Sequence, residues 1–291
     1  MKIKLVAVLI AIAFVLGCSR ENKIDLNSLN MEQLLTTIQE GSNGVRMNAS
    51  KMIMGKFYQN TNLVYKVIVG NFTKKSSKDI LIVFNDHPVV GKLFYQNENN
   101  EWKETNLSDV PYIDVSSIQT INIIDDTTQI TFEYSLPGTG RTARGVAIYN
   151  WNEKKNGFQQ VWNSLKYQRF VDQRNELLED YQVSVSIGKN IETKGYDNII
   201  GDKNTQISNK YFYSDKYEYF IIKEAKIKED YVIEHSIVNL DKKGKQENRS
   251  IIFKANEIVA IVGESIGSNE YLVRKQDGVH EYVPKYKMKD L

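Results

Sequence analysis

From Asn62 onward the chain is written in short runs where apolar and polar positions alternate: NLVYKVIV, DILIVF, KLFY, TINII, QITFEYSL, GVAIYNW and FQQVWN. A period of two in β-branched and aromatic residues predicts strands. The polar breaks between them, such as NENN, DDTT and NEKKNG, predict turns. After YQVSVSI a polar stretch, GKNIETKGYDNIIGDKNTQISN, reads as a loop or linker. Strand patterns resume in YFYS, YEYFIIKEAKI, YVIEHSIVNL, SIIFK, EIVAIVG, EYLVRK and HEYVP, with DKKGKQEN (Asp241 to Asn248) as an exposed hairpin tip. Helical spacing occurs twice. Asn30 to Glu40 puts Met31, Leu34, Leu35 and Ile38 on one face, with Asn30 and Gln33 placed as a capping box and Gly41 as the stop. Leu165 to Asp180 offers Tyr167, Phe170, Val171 and Leu177 for burial and predicts a helix that separates two domains. The expected fold is mainly β. It has a short N-terminal helix and two small β-rich domains of antiparallel sheets, 61–182 and 183–291, the second closing into a small barrel.

The first residues follow another pattern. Lys2 and Lys4 precede an unbroken apolar run from Leu5 to Leu16. That run is shorter than the ~20 residues a spanning helix needs and has the length of a secretory apolar core. Gly17 and Cys18 follow. VLGC at Val15 to Cys18 resembles the lipobox of bacterial lipoproteins. The resemblance implies cleavage between Gly17 and Cys18 and covalent lipid on Cys18. Residues 1–17 are then a signal peptide, and 18–60 a lipidated tether with the short helix. Two or three acyl chains hold a membrane far more firmly than one. The expected location is therefore the cell envelope, at the outer membrane of a cell that has one, with the bilayer as a partner through acylated Cys18.

Charge and cysteine content narrow the reading. The 38 lysines and arginines exceed the 36 acidic residues by two, and those two, Lys2 and Lys4, leave with residues 1–17. A balanced mature chain gives no global electrostatic case for nucleic acid. Cys18 is the single cysteine, so neither an internal disulfide nor a cysteine metal site is expected.

LPGTG at Leu136 to Gly140 resembles the pentapeptide of wall-sorting signals. Such signals lie ahead of an apolar span and a basic tail, whereas here about 150 residues follow without an apolar run of spanning length. The stretch lies between two strand patterns, and Pro137, Gly138 and Gly140 predict a hairpin loop. Arg141 and Arg144 beside it are candidates for meeting an anion or a partner, the alternative being two solvated side chains.

Two further resemblances concern β-units. VGNFTKKSSKDILIVF (Val69 to Phe84) resembles one FG-GAP repeat of β-propellers, whose loop binds calcium through carboxylates. Aligned from Gly70, Asn71, Thr73 and Lys75 stand at its ligand positions and only Asp79 keeps a carboxylate, so no metal site is expected. EIVAIVGESIGSNEYLVRKQDGVHEYVPKYKM resembles the second half of bacterial Src-homology-3-like domains. Asp277-Gly278 matches the turn, and Glu281 to Pro284 the closing strand. That resemblance implies contact with wall peptides or protein segments. In KYFYSDKYEYF, Tyr217 and Tyr219 are candidates for a partner surface, with core packing as the alternative. Lys285, Lys287 and Lys289 share a face and suit protection of an edge strand.

No catalytic residue is assigned. His87, His235 and His280 lack metal-ligand spacing, and neither a zincin motif nor G-x-S-x-G is present. The expectation is a non-enzymatic lipoprotein, without a cofactor beyond its lipid, that binds an envelope or host protein or peptidoglycan. The rivals are an envelope hydrolase with a dispersed site and a lipoprotein that binds a metal or small ligand.

Overall fold

The computed structural model describes residues 26–57, 64–84, 90–107, 114–138, 141–171, 177–199, 205–238, 245–265 and 269–291. The chain divides into two compact units, residues 1–62 and 63–291.

The described part of the first unit is a helical pair, α1 (Met31–Glu40) and α2 (Asn43–Met54), after a 3-10 turn at Leu26–Ser28. The capping box forms as expected: Gln33 N donates to Asn30 Oδ1 and Asn30 N donates to Gln33 Oε1, both at 2.9 Å. Leu34, Leu35 and Ile38 are buried, as are Ala49, Ile53 and Met54 of α2. The second helix has only a weak apolar stripe, with Ser50 among its inward residues.

The second unit is antiparallel β throughout its described residues. A four-stranded meander comes first: β1 (Val64–Gly70), β2 (Asp79–Phe84), β3 (Val90–Gln96) and β4 (Trp102–Leu107). An eight-stranded sheet follows. Its strands are β5 (Asp114–Ile124), β6 (Thr127–Gly138), β7 (Arg141–Asn152), β8 (Gly157–Val171), β9 (Leu177–Ile187), β10 (Ile191–Ile199), β11 (Thr205–Ser214) and β12 (Tyr219–Ile221), each paired with the next. A five-stranded sheet has the order β18 (His280–Pro284), β17 (Glu270–Arg274), β16 (Ile258–Ser265), β13 (Lys223–Ile227), β19 (Met288–Asp290). A separate hairpin, β14 (Tyr231–Val238) with β15 (Lys245–Phe253), is inserted between β13 and β16.

The eight-stranded sheet is used on both faces. Ala147 and Tyr149 of β7 join Phe132 and Phe158 in a core shared with Leu81, Val83 and Leu93 of the meander. Val146 and Ile148 face the other way, into a core with Ile124, Trp162, Ile191, Tyr211 and Phe220. This second core collects residues from β5 to β12, so the sheet curls around it, and β12 returns against β8. Two glycines allow the curl. At Gly195 of β10 a Cβ would collide with the Gln182 carbonyl oxygen and lie 2.8 Å from Val183 Cα. At Gly145 of β7 it would meet the Tyr134 hydroxyl and come within 2.9 Å of the Ser164 carbonyl. Interior strand glycines of this kind mark tight bends and close approach.

Four expectations meet a different structure. The helix over Leu165 to Asp180 does not form: 165–171 belong to β8 and 177–180 to β9. The residues expected to be inside are not the ones buried, since Gln168 is 5% exposed and Phe170 is 37% exposed. Pairing with β7 on one side and β9 on the other outweighs the helical propensity of the segment. The polar stretch after Ile187 is not a linker, for most of its described residues are in β10 and β11. Its inward positions carry Thr193, Gly195 and Asp197, which hid the alternation. The C-terminal sheet does not close into a barrel; β18 and β19 are its hydrogen-bonding edges. The expected domain boundary at 182/183 falls inside β9, which pairs with β8 and β10.

Gly195→Ala is expected to destabilise the protein by about 3 kcal/mol in urea unfolding, because backbone must move to admit the methyl group. Gly188→Ala, where a Cβ meets only Asn190 O at 4.0 Å, should stay within about 0.5 kcal/mol of wild type.

Candidate functional site

Along β7, alternation sends Ile148, Asn150 and Asn152 to the concave side and turns Tyr149 and Trp151 away from it. The Trp151 ring packs on Tyr95 and Phe158, at 5.5 and 5.7 Å between centroids. Beyond Ile148 the concave side becomes polar. There a cavity of about 270 Å³ opens between the β7–β8 hairpin and the β11–β12 turn. Its lining includes Asn150, Asn152, Gln159, Tyr213, Asp215 and Glu218, over a floor that includes Val161.

The walls are fixed by hydrogen bonds that can be followed atom by atom. Gln129 is fully buried. Its Oε1 accepts from the main-chain N–H of Ile123 and Ile124, at 2.8 and 3.2 Å. Its Nε2 must therefore face Asn150, and it donates to Asn150 Oδ1 at 3.1 Å. This leaves the Asn150 Nδ2 donors to the cavity. Gln159 is oriented in the same way, with Oε1 accepting from Asn152 Nδ2 at 3.1 Å and Lys155 Nζ at 2.9 Å. Its Nε2 has no partner among the described residues.

Two other lining groups are spent on structure. Asn152 Nδ2 also donates to Glu218 Oε2 at 3.0 Å, and Lys154 Nζ donates to Glu218 Oε1 at 3.1 Å. These bonds stitch the β11–β12 turn to the β7–β8 hairpin and hold Glu218 in the left-handed region, at φ 48°. On the far side of the hairpin Tyr95 Oη donates to Asn156 Oδ1 at 2.9 Å. Four groups remain without a partner among the described residues: the Asn150 and Gln159 amide nitrogens, the Tyr213 hydroxyl and the Asp215 carboxylate. Burial, helped by the nearby charges of Asp215, Glu218 and Asp125, pushes the Tyr213 phenol up to about 12, so it remains a neutral donor. Around the opening stand three carboxylates, Glu153, Asp215 and Glu218, and two ammoniums, Lys154 on Glu218 and Lys155 on Gln159.

The residues singled out from sequence lie elsewhere. Cys18 and Gly17 fall outside the described residues, as does His87. The LPGTG stretch is a β6–β7 hairpin end, closed by the pair Gly138 and Arg141, with Thr139 and Gly140 outside the described residues. Arg141 and Arg144 are both exposed on β7, and three positions apart they lie on opposite faces. Arg141 Nη2 donates to Gln168 Oε1 at 2.6 Å, and Gln168 Nε2 donates to Glu179 Oε1 at 2.7 Å. The guanidinium is thus engaged with an amide that leads to a carboxylate, and the two arginines form no joint anion site.

Tyr217 is 1% exposed and packs with Ile221, Ala260 and Val262. It is a core residue and cannot serve as a partner surface. Tyr219 is half-buried, with its ring 4.5 Å from the Arg274 guanidinium. His235 lies in β14, opposite Asn248. His280 is exposed on β18, with Nδ1 3.3 Å from the Gly278 carbonyl. Lys285 and Lys287 pair with Glu264 and Glu229.

The loop from Asn71 to Lys78 is closed by protein groups. Asp79 Oδ2 accepts from Thr73 N at 2.7 Å, Thr73 Oγ1 at 2.9 Å and Ser77 Oγ at 2.6 Å. Lys75 pairs with Asp126. Among the described residues no group of three or more histidines, cysteines and carboxylates is arranged to hold a metal ion.

The cavity residues were missed in the sequence, although a trace of them is there. In GVAIYNWNEKKNGFQQV the inward positions run Val146, Ile148, Asn150, Asn152, an apolar series that turns into amides. No protein-family model matches the chain, and no curated protein and no solved structure is significantly similar to it.

The Lys154 ammonium, and then the Asn152 amide, hold the Glu218 carboxyl below the usual glutamate range. A lowered folded value stabilises the protein above the ordinary glutamate pKa of about 4.3, and the contribution is lost as pH falls through the folded value. The Glu218 side chain is 39% exposed, so screening limits the pair to about 0.2–1 kcal/mol. Glu218→Gln is therefore expected to lower Tm by about 1–3 °C at pH 7. The difference from wild type should shrink below about pH 4, as read by thermal melts across pH.

Proposed function

We propose that this protein is a bacterial lipoprotein, tied to a membrane of the cell envelope by lipid on Cys18, that works by binding rather than by catalysis. The observation that carries the reading is the cavity on the concave side of the eight-stranded sheet. Its neighbouring polar groups are consumed by structure, whereas four converging groups are left for a ligand. Asn150, Gln159 and Tyr213 stand on strands, Asp215 stands in the β11–β12 turn, and the two amides are braced from behind, an arrangement that suits a binding site. The described residues that line the cavity include no serine, cysteine or histidine, and of its carboxylates Glu218 is tied to Lys154 and Asn152. His280 is on the surface, held beside its own turn.

The anchor rests on the sequence: the apolar run from Leu5 to Leu16 and VLGC at Val15 to Cys18. No described helix is long and apolar enough to cross a membrane. The C-terminal resemblance to Src-homology-3-like domains rests on the sequence. Asp277-Gly278 links β17 to β18, and buried Val283 sits in β18, which a 3-10 turn at Lys285–Lys287 joins to β19. That sheet is a second candidate surface for wall peptide or protein.

Metabolic labelling with a palmitate analogue tests the anchor. Wild-type protein expressed in a bacterium should carry the label and sediment with membranes. Cys18→Ala should carry none and remain as the longer precursor. Label that persists on Cys18→Ala would overturn the lipoprotein reading.

A further inference from the structure

We infer that the cavity at Asn150, Gln159, Tyr213 and Asp215 takes a single neutral sugar ring. The inference rests on the reading of the protein as a binding protein and names the chemistry of its ligand.

The argument proceeds by elimination among ligand classes. An anion such as phosphate or carboxylate would enter beside three carboxylates, Glu153, Asp215 and Glu218, against two ammoniums, Lys154, already paired with Glu218, and Lys155, and the excess of like charge disfavours it. A simple ammonium would satisfy Asp215 but leave the Asn150 and Gln159 amide donors facing it unpaired. An apolar ligand would leave all four polar groups unpaired. A polyhydroxylated ring meets every demand, because each of its hydroxyls both donates and accepts. Adjacent hydroxyls can accept from Asn150 Nδ2 and Gln159 Nε2, and another can donate to Asp215. The Tyr213 phenol, kept neutral by burial and surrounding charge, donates to a ring or hydroxyl oxygen. The C–H surface of the ring lies on Val161 and the Tyr213 side chain.

Size agrees with this. At ~30 Å³ per water, the 270 Å³ cavity has room for one ring of about a dozen non-hydrogen atoms, below the 300–1,000 Å³ typical of sites for larger ligands. The orientation of both amides is set before the ligand arrives, by Gln129 on one side and by Asn152 and Lys155 on the other. The ordering cost of binding is reduced accordingly. The ring could be a free monosaccharide or the terminal unit of a glycan, and the chemistry is the same for both.

The test uses the full mature chain from residue 18 with Cys18→Ser, soluble and ¹⁵N-labelled. D-glucose, D-galactose, D-mannose and N-acetyl-D-glucosamine are titrated as methyl glycosides, and the side-chain NH₂ signals of Asn150 and Gln159 are followed. At least one sugar should give saturable shifts with Kd of about 1 mM, the range that ligand efficiency sets for so small a ligand. Asp215→Ala removes an exposed turn side chain, so it should keep the wild-type Tm and weaken that sugar at least tenfold. Oligosaccharides ending in the same ring separate the sources. Equal affinity for the methyl glycoside and the chain supports the free ring, and a chain that binds at least tenfold tighter supports a glycan end. Several results would overturn the proposal: no saturable shift with any sugar, equal binding by Asp215→Ala, or saturation by putrescine or inorganic phosphate in place of sugars. Because this chain carries no lipid, a negative result here leaves the palmitate experiment untouched, and a negative label there leaves the sugar result standing.

Discussion

One sheet must serve two cores, and to do so it has to bend. Strands β5 to β8 lie against the meander on one face, and strands from β5 to β12 surround a concave core on the other. A flat sheet cannot bring β12 back to β8. The bend is possible where side chains are missing, at Gly145 beneath the Tyr134 ring and at Gly195 against the main chain of β9. From that curl follow the concave core, the approach of the β11–β12 turn to the β7–β8 hairpin, and the Glu218 stitch between them. The cavity is a consequence of the same geometry, since its walls come from strands far apart in the sheet order.

The two kinds of polar group in this protein behave differently, and the contrast gives the site its meaning. Asp79 is buried with three donors on one oxygen, so its loop is complete without an ion. Gln129 is spent in the same way, on two main-chain N–H groups and its neighbours. Buried polar groups are ordinarily satisfied. At the cavity, satisfied groups orient unsatisfied ones: Gln129 aims Asn150, and Asn152 aims Gln159. Open donors held by closed networks are the ground on which the cavity is proposed as a binding site.

Strands with a simple pattern could be read directly from the sequence. DILIVF, QITFEYSL and GVAIYNW are strands where the alternation puts them, and the Asn30 capping box starts a helix as read. The failures have physical causes. In β8 Gln168 is buried while Phe170, two residues on and on the same face, is exposed, so hydrophobicity did not mark burial along this strand. In β10 the inward positions hold Thr193, Gly195 and Asp197, which suit a crowded bend and resemble a linker. The edge strand β4, WKETNL, buries only Leu107 and shows no period. In α2 the packing partner is α1, and the stripe that meets it is weak. The site was nearly invisible because no motif marks it; only amides at inward strand positions distinguish it from solvated loop residues. Tyr217 misled in the opposite sense, since a tyrosine in a polar turn proved to be core.

Native-state hydrogen exchange on the mature chain, read strand by strand against urea, tests the central claim that β5–β12 form one curled unit. Amides of β6–β8 and of β9–β11 should share a common opening free energy and a common urea dependence, as one cooperative unit does. If β9–β12 open at distinctly lower free energy while β6–β8 stay protected, the two halves are separate units. The cavity between them would then lack the rigid walls on which its reading as a binding site depends.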